Sequence, residues 1–303
     1  MNLSNRRSFL QQIAVAAAGS AGLPRTLAAD PPPPRDYAIG CYTRPWDQLE
    51  LGAALDGIAE AGYRYAGIMT AKGKSWVIIT PETTVEEAAK VGDEVRQRGL
   101  KTSSVYGDFK PTSAVADGVK ALTRLIDNAA ACGSPDLLLG GTGDPALSDA
   151  YYKAVAECCD LAAAKKVRLT IKPHGGLNAT GPQCRRIIEQ VGHPNFRLWY
   201  DAGNIFYYSD GALDPVADAA TVDGLVAGMS VKDFLPPKEV MVTPGTGRVD
   251  FPKVFATLRA GGFTRGPLVV ECTARGDGLD VTAEARKARE FLEGLLAGMA
   301  RPR

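Results

Sequence analysis

Four segments of the sequence each run from apolar residues into a polar or charged side chain of a type that enzymes use. The segments are residues 168–176 (RLTIKPHGG), 196–204 (FRLWYDAGN), 226–234 (VAGMSVKDF) and 267–274 (PLVVECTA). Their polar side chains are Lys172, His174, Asp201, Lys232, Asp233 and Glu271. Such apolar runs are typical of buried parallel strands, and α/β barrels bind substrates at the carboxyl ends of these strands. The pattern therefore predicts an enzyme-like site.

Strand geometry predicts which of these side chains share a face, because residues two positions apart on a strand point to the same side. If Asp201 and Glu271 point into a barrel, the same alternation turns Lys172 and Lys232 inward. The rest of this inward set is Thr170, His174, Trp199, Ser230 and Val269. Buried polar groups are costly without partners. The set therefore predicts a reaction site or, alternatively, a structural ion pair of Lys172 with a carboxylate that seals the barrel.

The order of elements indicates an α/β fold, a single (β/α)8 TIM barrel over residues 37–303. Strands are predicted at 37–42, 64–69, 101–106, 136–140, 168–173, 197–201, 227–232 and 267–271. Helices are predicted at 48–61, 83–98, 113–132, 147–165, 180–191, 214–225, 251–261 and 281–299. The rival fold, a doubly wound open sheet, needs a glycine-rich turn after the first strand. That position reads Gly40-Cys41-Tyr42-Thr43-Arg44-Pro45, which favours the barrel.

The amino-terminal residues have the composition of a targeting segment. Arg6 and Arg7 precede a short apolar stretch, IAVAAAGSAGL, and small residues at Thr26 and Ala28 suit a cleavage site. We therefore expect residues 1–29 to be a twin-arginine signal peptide and residues 30–36 to be a proline-rich linker. The stretch is too short to favour a membrane anchor. The expected location is periplasmic, or otherwise exported.

Composition narrows the range of partners. The 303 residues include 35 Lys plus Arg and 34 Asp plus Glu, a balance that predicts no nucleic-acid partner. No other segment reaches transmembrane length, so the mature chain is expected to have no stable membrane span. The spacing of the 6 cysteines predicts no dense disulfide framework. A small-molecule carbohydrate is the expected partner, and a homo-oligomer is left open.

The chain resembles the sugar phosphate isomerase/epimerase family, the xylose isomerase-like TIM barrels, over nearly its whole mature length. The likeness is carried by several phrases in order: His193-Pro194-Asn195, Asp201-Ala-Gly-Asn204, Val231-Lys232-Asp233, Pro244-Gly-Thr-Gly247 followed by Val249-Asp250-Phe251, and Val269-Val270-Glu271. The resemblance implies a divalent metal of the manganese, magnesium or zinc type. In the family its ligands are a Glu ending strand five, an Asp ending strand six, a His on strand seven and a Glu ending strand eight.

The implied ligand set is incomplete in this chain. Asp201 and Glu271 match the family pattern, but Lys172 replaces the strand-five Glu and Ser230 replaces the strand-seven His. An ammonium about 4 Å from a dication is repelled by about 8 kcal/mol at an effective dielectric near 20. Either Lys172 is neutral and a metal is held by His174, Asp201 and Glu271, or Lys172 is charged and replaces the metal. Two nearby carboxylates favour the charged form.

The leading hypothesis is an exported sugar isomerase, epimerase or related lyase that abstracts a proton beside a carbonyl. Glu271 is then the base, His174 or Lys232 the partner acid, and Lys172 with Asp201 the electrostatic centre. A Schiff base on Lys172 is a less favoured variant, because it needs a neutral amine. The expected substrate contacts are Asp201, Asn204, Ser230, Tyr106 and Trp46, the two aromatic rings by stacking on a sugar face.

Two other functions compete with this one. A non-catalytic carbohydrate-binding barrel would explain the replaced ligands as lost chemistry. A metal-dependent endonuclease of the same superfold needs a cluster of histidines and acids, and the 2 histidines of the chain do not supply one. The segment Pro244-Gly-Thr-Gly247 could cradle a phosphate but is expected to be a plain turn.

Overall fold

The apolar runs form the strands of a closed barrel in a computed structural model, which describes residues 37–300. The strands are β1 (Tyr37–Tyr42), β2 (Tyr65–Ile68), β3 (Lys101–Tyr106), β4 (Asp136–Leu139), β5 (Arg168–Ile171), β6 (Phe196–Asp201), β7 (Val226–Val231) and β8 (Gly266–Val270). All neighbouring pairs are parallel, and β8 closes on β1. The predicted TIM barrel is confirmed. The predicted signal peptide at 1–29 and linker at 30–36 lie outside the described residues.

Helices connect consecutive strands on the outside of the barrel. They are α1 (Leu51–Glu60), α2 (Val85–Gln97), α3 (Val115–Ala131), α4 (Pro145–Ala164), α5 (Gly181–Val191), α6 (Ala202–Tyr208), α7 (Pro215–Ala219), α8 (Phe251–Ala260) and α9 (Val281–Ala300). Short 3-10 turns lie at Arg44–Trp46, Gly176–Asn178 and Ala220–Val222. Within residues 37–300, no helix is both long enough and apolar enough to cross a membrane.

Local signals fix several helix ends. The Thr84 hydroxyl accepts from the Glu87 N–H and the Glu87 carboxylate accepts from the Thr84 N–H, so α2 begins with a capping box. Asp250 accepts from the Lys253 N–H and caps α8. Gly192 takes the left-handed conformation that ends α5.

One predicted helix is wrong in extent. The helix predicted at 214–225 is the short α7 followed by the 3-10 turn Ala220–Val222. In addition, α6 (Ala202–Tyr208) forms where the sequence pattern predicts a loop between β6 and the next helix. It begins directly after β6, because the Asp201 carboxylate accepts from the Asn204 N–H and supplies the cap.

Large side chains fill the barrel interior below its carboxyl-terminal mouth. The interior cluster consists of Tyr42, Met69, Leu138, Trp199 and Val269, with Tyr106 packed against it. The rings of Tyr42 and Trp199 fit because glycines face them. A methyl carbon at Gly67 would lie 2.3 Å from the Tyr42 ring, and one at Gly228 would lie 2.5 Å from the Trp199 ring.

We predict that Gly228→Ala destabilises the barrel by about 1 to 3 kcal/mol, because the added methyl group overpacks the interior and displaces Trp199. Urea unfolding measures the change. Gly294→Ala is the control, since nothing lies within 4 Å of a methyl group there. Its position inside α9 predicts a gain of about 0.5 to 1 kcal/mol. Equal effects of the two substitutions would contradict the packing described here.

Candidate active site

Two carboxylates and two ammonium groups meet at the mouth of the barrel. The Lys172 Nζ lies 2.7 Å from Glu271 Oε2 and 3.5 Å from Asp201 Oδ2. The Lys232 Nζ lies 2.6 Å from Glu271 Oε1 and 3.1 Å from Asp201 Oδ2. All four side chains are at most 3% exposed. They form one buried layer, which we call the charged layer.

The four strands β5 to β8 deliver the charged layer. Asp201 is the last residue of β6, whereas Lys172, Lys232 and Glu271 each follow their strand directly. Asn204 then connects the layer to its surroundings: its Oδ1 accepts from the Lys232 Nζ at 3.0 Å and its Nδ2 donates to the Pro173 carbonyl at 2.6 Å.

Arg44 adds a third cation that is not among the predicted site residues. Its guanidinium donates to Glu271 Oε1 at 3.2 Å, and its side chain is 24% exposed. Arg44 lies two residues after the inward-facing Tyr42, in the 3-10 turn that follows β1. Period-two spacing from Tyr42 is the sequence signal that could have identified it.

The two lysines have opposite pKa shifts. Burial is the largest effect on Lys172 and lowers its pKa, and the neighbouring Lys232 acts in the same direction. Burial also opposes the charge on Lys232, but Asp201 and Glu271 outweigh it and raise the pKa. Burial raises the pKa of Glu271, yet the three cations together hold that pKa well below its ordinary value. Lys172 is therefore the member of the layer that gives up its proton most readily.

His174 lies at the mouth in its neutral form. Its backbone N–H donates to the Asn178 carbonyl, and the Asn178 side chain donates to the Lys172 carbonyl, which fixes the loop after β5. The imidazole packs between the rings of Tyr106 and Tyr208. Burial, followed by the charges of Lys172 and Lys232, lowers the pKa of His174 to about 3. A neutral imidazole can donate or accept one hydrogen bond, but it is a weak base.

A small cavity of about 230 Å³ opens above the charged layer. Its lining residues are Arg44, Met69, Thr70, Trp76, Tyr106, Lys172, His174, Asn204, Tyr207, Tyr208, Lys232 and Val240. The cavity is smaller than the pockets of about 300 to 1,000 Å³ that hold drug-sized ligands. Asp201 and Glu271 are not part of its wall, since both are fully buried beneath the two lysines.

Besides Asp201, three of the predicted site residues lie outside the cavity wall. Glu271 is poorly suited to be the base, because each of its oxygens accepts from a cation and neither faces the cavity. Ser230 is fully buried beside Asp201 in the strand register and is not part of the cavity wall. Trp46 lies outside the cavity, where its ring packs against Gly57 of α1. Trp76, at the cavity rim, was not predicted.

Two further carboxylates hold the loops around the cavity. Asp233 accepts from the N–H groups of Gly245 and Gly247 at 2.9 and 2.8 Å. The turn at residues 244–247 therefore uses these amides internally and is a plain turn. Asp108 accepts from the N–H groups of Gly140 and Gly141 in the same way.

The charged layer does not fit the metal that the family resemblance implies. A divalent ion needs lone pairs directed at one point, but the Lys172 and Lys232 ammonium groups lie against both carboxylates and offer only donors. Within residues 37–300, no group of three His, Cys, Asp or Glu side chains is placed to hold a metal ion. The predicted alternative set of Asp201, Glu271 and His174 is thus not a metal site in this arrangement.

A larger groove elsewhere on the barrel is lined by few groups that could take part in a reaction. It has a volume of about 640 Å³ and lies between α8 and α9. Arg259 is the one charged side chain of its lining, which is otherwise apolar or small. The smaller cavity at the barrel mouth is a better candidate than this groove, because three buried groups with perturbed pKa values, Lys172, His174 and Lys232, line it.

Comparison with known proteins places the chain among barrels of one type. The family model for the xylose isomerase-like TIM barrel matches residues 55–295. No curated protein sequence matches the chain.

Solved structures with the same fold share little sequence with it. The D-allulose 3-epimerase from Methylomonas sp., solved in complex with D-allulose, has 20% identity and a TM-score of 0.68, over 86% of this chain and 98% of that one. An L-ribulose 3-epimerase has 18% identity and a TM-score of 0.66, over 87% and 95%. A xylose isomerase-like protein from Mycobacterium smegmatis, in complex with magnesium, has 16% identity and a TM-score of 0.68, over 87% and 98%.

We predict that His174 makes the folded protein sensitive to mild acid. The unfolded chain protonates its imidazole below a pKa of about 6.5, whereas the folded protein does so only near 3. Stability from this group is thus complete above about pH 6.5 and is lost as the pH falls towards 3. Between pH 7 and 5 the wild-type protein should lose about 2 kcal/mol more than His174→Gln.

Urea unfolding at the two pH values measures this difference. Proton NMR of His193→Gln, which leaves one of the 2 histidines, gives an independent check. The remaining imidazole signals should not shift between pH 7 and 5. Parallel pH curves for the two proteins, or a normal titration of His174, would show that the imidazole is not excluded from charging.

Proposed function

The chain belongs to the xylose isomerase-like TIM-barrel family, and within it we propose a sugar isomerase- or epimerase-like enzyme that moves a proton beside a carbonyl without a bound metal ion. The observation that carries the proposal is the pair of lysines in the cavity wall. Lys232 is fixed as a cation by Asp201 and Glu271, whereas the pKa of Lys172 is lowered. One amine can accept a proton while the other stabilises negative charge.

Each group has a role in this chemistry. Lys172, once neutral, takes the proton from the substrate carbon and becomes an ammonium. The electron pair moves towards the carbonyl oxygen, and the charged Lys232 stabilises the resulting enolate. His174 and Asn204 line the same cavity and can hold substrate hydroxyl groups. Returning the proton to the same carbon on its other face completes an epimerisation. Returning it to the former carbonyl carbon, while the hydroxyl group of the first carbon passes its proton to the enolate oxygen, completes an isomerisation.

The surroundings of the two lysines support a carbohydrate as the substrate. Aromatic rings of Trp76, Tyr106, Tyr207 and Tyr208 lie in the cavity wall. Sugar rings present apolar faces that pack on such side chains. The structurally similar proteins include two sugar epimerases, one of them solved with its sugar. Because the sequence identity is low, this likeness supports the fold alone. The lysine chemistry is proposed from the residues of this chain.

Two alternatives share the same cavity. In the first, the barrel binds carbohydrate and catalyses nothing. In the second, neutral Lys172 attacks the carbonyl carbon, water leaves, and an imine forms. A lysine beside another cation is a recognised imine nucleophile, because its pKa is depressed. Proton abstraction is preferred because Lys172 keeps its 2.7 Å contact with Glu271, which suits an amine that cycles between charge states.

Incubation in heavy water tests the proposal. Keto sugars and keto sugar acids should gain deuterium at the carbon beside the carbonyl, as followed by proton NMR, with a chelator present throughout. Lys172→Met should reduce the exchange rate by about 100-fold or more, because the proton acceptor is removed. The wild-type rate should rise with pH as Lys172 loses its proton.

Lys253→Met is the matched control, since Lys253 is an exposed lysine on α8 that pairs with Asp250. It should exchange like the wild type. Loss of exchange with chelator and its recovery with a divalent ion would refute the metal-free assignment. Saturable sugar binding without exchange would support the non-catalytic barrel. Borohydride trapping of substrate on Lys172 would support the imine.

We also propose that the folded protein is exported by the twin-arginine pathway, on the basis of Arg6, Arg7 and the apolar stretch after them. Cell fractionation should find the wild-type protein outside the cytoplasm, with its first residue after Ala28 or Ala29. A variant with both arginines replaced by lysine should stay in the cytoplasm with residues 1–29 attached. Export of this variant at the wild-type level would contradict the proposal.

A further inference from the structure

The cavity presents only positive charge to a ligand. Arg44, Lys172 and Lys232 lie in its wall, and the wall contains no carboxylate among the described residues. Asp201 and Glu271 are fully buried underneath and are shielded by the cations that they bind. A neutral sugar needs hydrogen-bond acceptors for its hydroxyl groups, and acidic side chains commonly supply them. This wall is instead suited to a ligand that brings its own negative charge.

Arg44 and the two lysines of the charged layer are three cations that contact two carboxylates, Asp201 and Glu271. Two other carboxylates near the cavity accept hydrogen bonds from the backbone amides of their own loops. The cations in the cavity wall therefore have no carboxylate opposite them, and a bound monoanion would supply one.

One corner of the cavity holds polar atoms that have no partner. The Arg44 Nε and the Thr70 Oγ1 are both buried without a hydrogen bond within the described residues, and Thr70 is 1% exposed. Thr43 fixes this corner, because its hydroxyl accepts from the Thr70 N–H at 3.2 Å and it directly precedes Arg44. Both residues line the cavity, and an unpaired guanidinium N–H together with an unpaired hydroxyl matches the oxygens of a carboxylate or a phosphate.

The charge and the loops favour a carboxylate over a phosphate. A phosphate monoester carries a charge of about −1.5 to −2 at pH 7 and three strong acceptor oxygens, more than the one unpartnered guanidinium nitrogen and the one unpartnered hydroxyl of the wall can pair. The turn at residues 244–247 offers no amides to it, because those of Gly245 and Gly247 donate to Asp233. The cavity of about 230 Å³ also leaves little room for a phosphate group in addition to a sugar.

We infer that the ligand of this cavity is a sugar acid, and that Arg44 and Thr70 bind its carboxylate. The inference rests on the proposed function and names its substrate class.

Calorimetric titration with matched ligands tests the inference. The probes are D-glucuronate and D-galacturonate, the neutral sugars D-glucose and D-galactose, and D-glucose 6-phosphate. The acids should bind at least about tenfold more tightly than their neutral partners and than the phosphate ester, because a charged hydrogen bond is gained. Arg44→Gln should weaken binding of the acids by about 10- to 100-fold and remove the preference.

Thr70→Val keeps the side-chain shape and should weaken binding of the acids by a smaller factor. This variant tests the inference if Arg44→Gln does not fold. Lys253→Gln is the control and should bind like the wild type. Equal affinity for acids and neutral sugars, tighter binding of the phosphate ester, or no binding of any acid overturns the inference. The deuterium-exchange assay distinguishes a failure of this inference from a failure of the proposed function. Exchange without acid preference refutes the substrate class alone, and acid binding without exchange refutes the catalytic proposal alone.

Discussion

The mouth of the barrel depends on the burial of two carboxylates. An ion taken from water into a protein interior loses several kcal/mol of hydration free energy, so a buried carboxylate needs cations or several hydrogen-bond donors around it. Asp201 and Glu271 are both fully buried. Strands β5 and β7 must therefore bring Lys172 and Lys232 to the same height as the ends of β6 and β8. The same Asp201 side chain also caps α6, which ties the start of that helix to the charged layer.

Most of the site could be predicted from the sequence, because it is built at strand ends. Lys172, Asp201, Lys232 and Glu271 each end an apolar run, and the two-residue period of a strand gives their direction. Arg44 keeps the same inward phase as Tyr42, but it lies in a 3-10 turn, where the two-residue period of a strand is no longer a reliable guide to direction.

Trp46 is a residue for which the strand period predicts the wrong direction. It follows Arg44 by two residues, and a strand would turn it inward as well. The 3-10 turn rotates the chain instead, and the ring packs against Gly57 of α1. Likewise, α6 is too short to show a helical period, and its start depends on the side chain of Asp201. Short turns of this kind are decided by tertiary contacts that a single sequence does not display.

The role of each charged group was harder to predict than its position. Two lysines between two carboxylates supply the same formal charge as one divalent ion, so the acids that bind a metal in the family's pattern bind ammonium groups here. Replacing the metal ion by two ammonium groups changes the chemistry, because a metal accepts lone pairs from its ligand whereas an ammonium donates hydrogen bonds. It also makes the charge of the centre adjustable. Lys172 can lose its proton while Lys232 keeps its own, since their pKa values shift in opposite directions. A metal ion cannot change its charge by transferring a proton, and this pair of amines can.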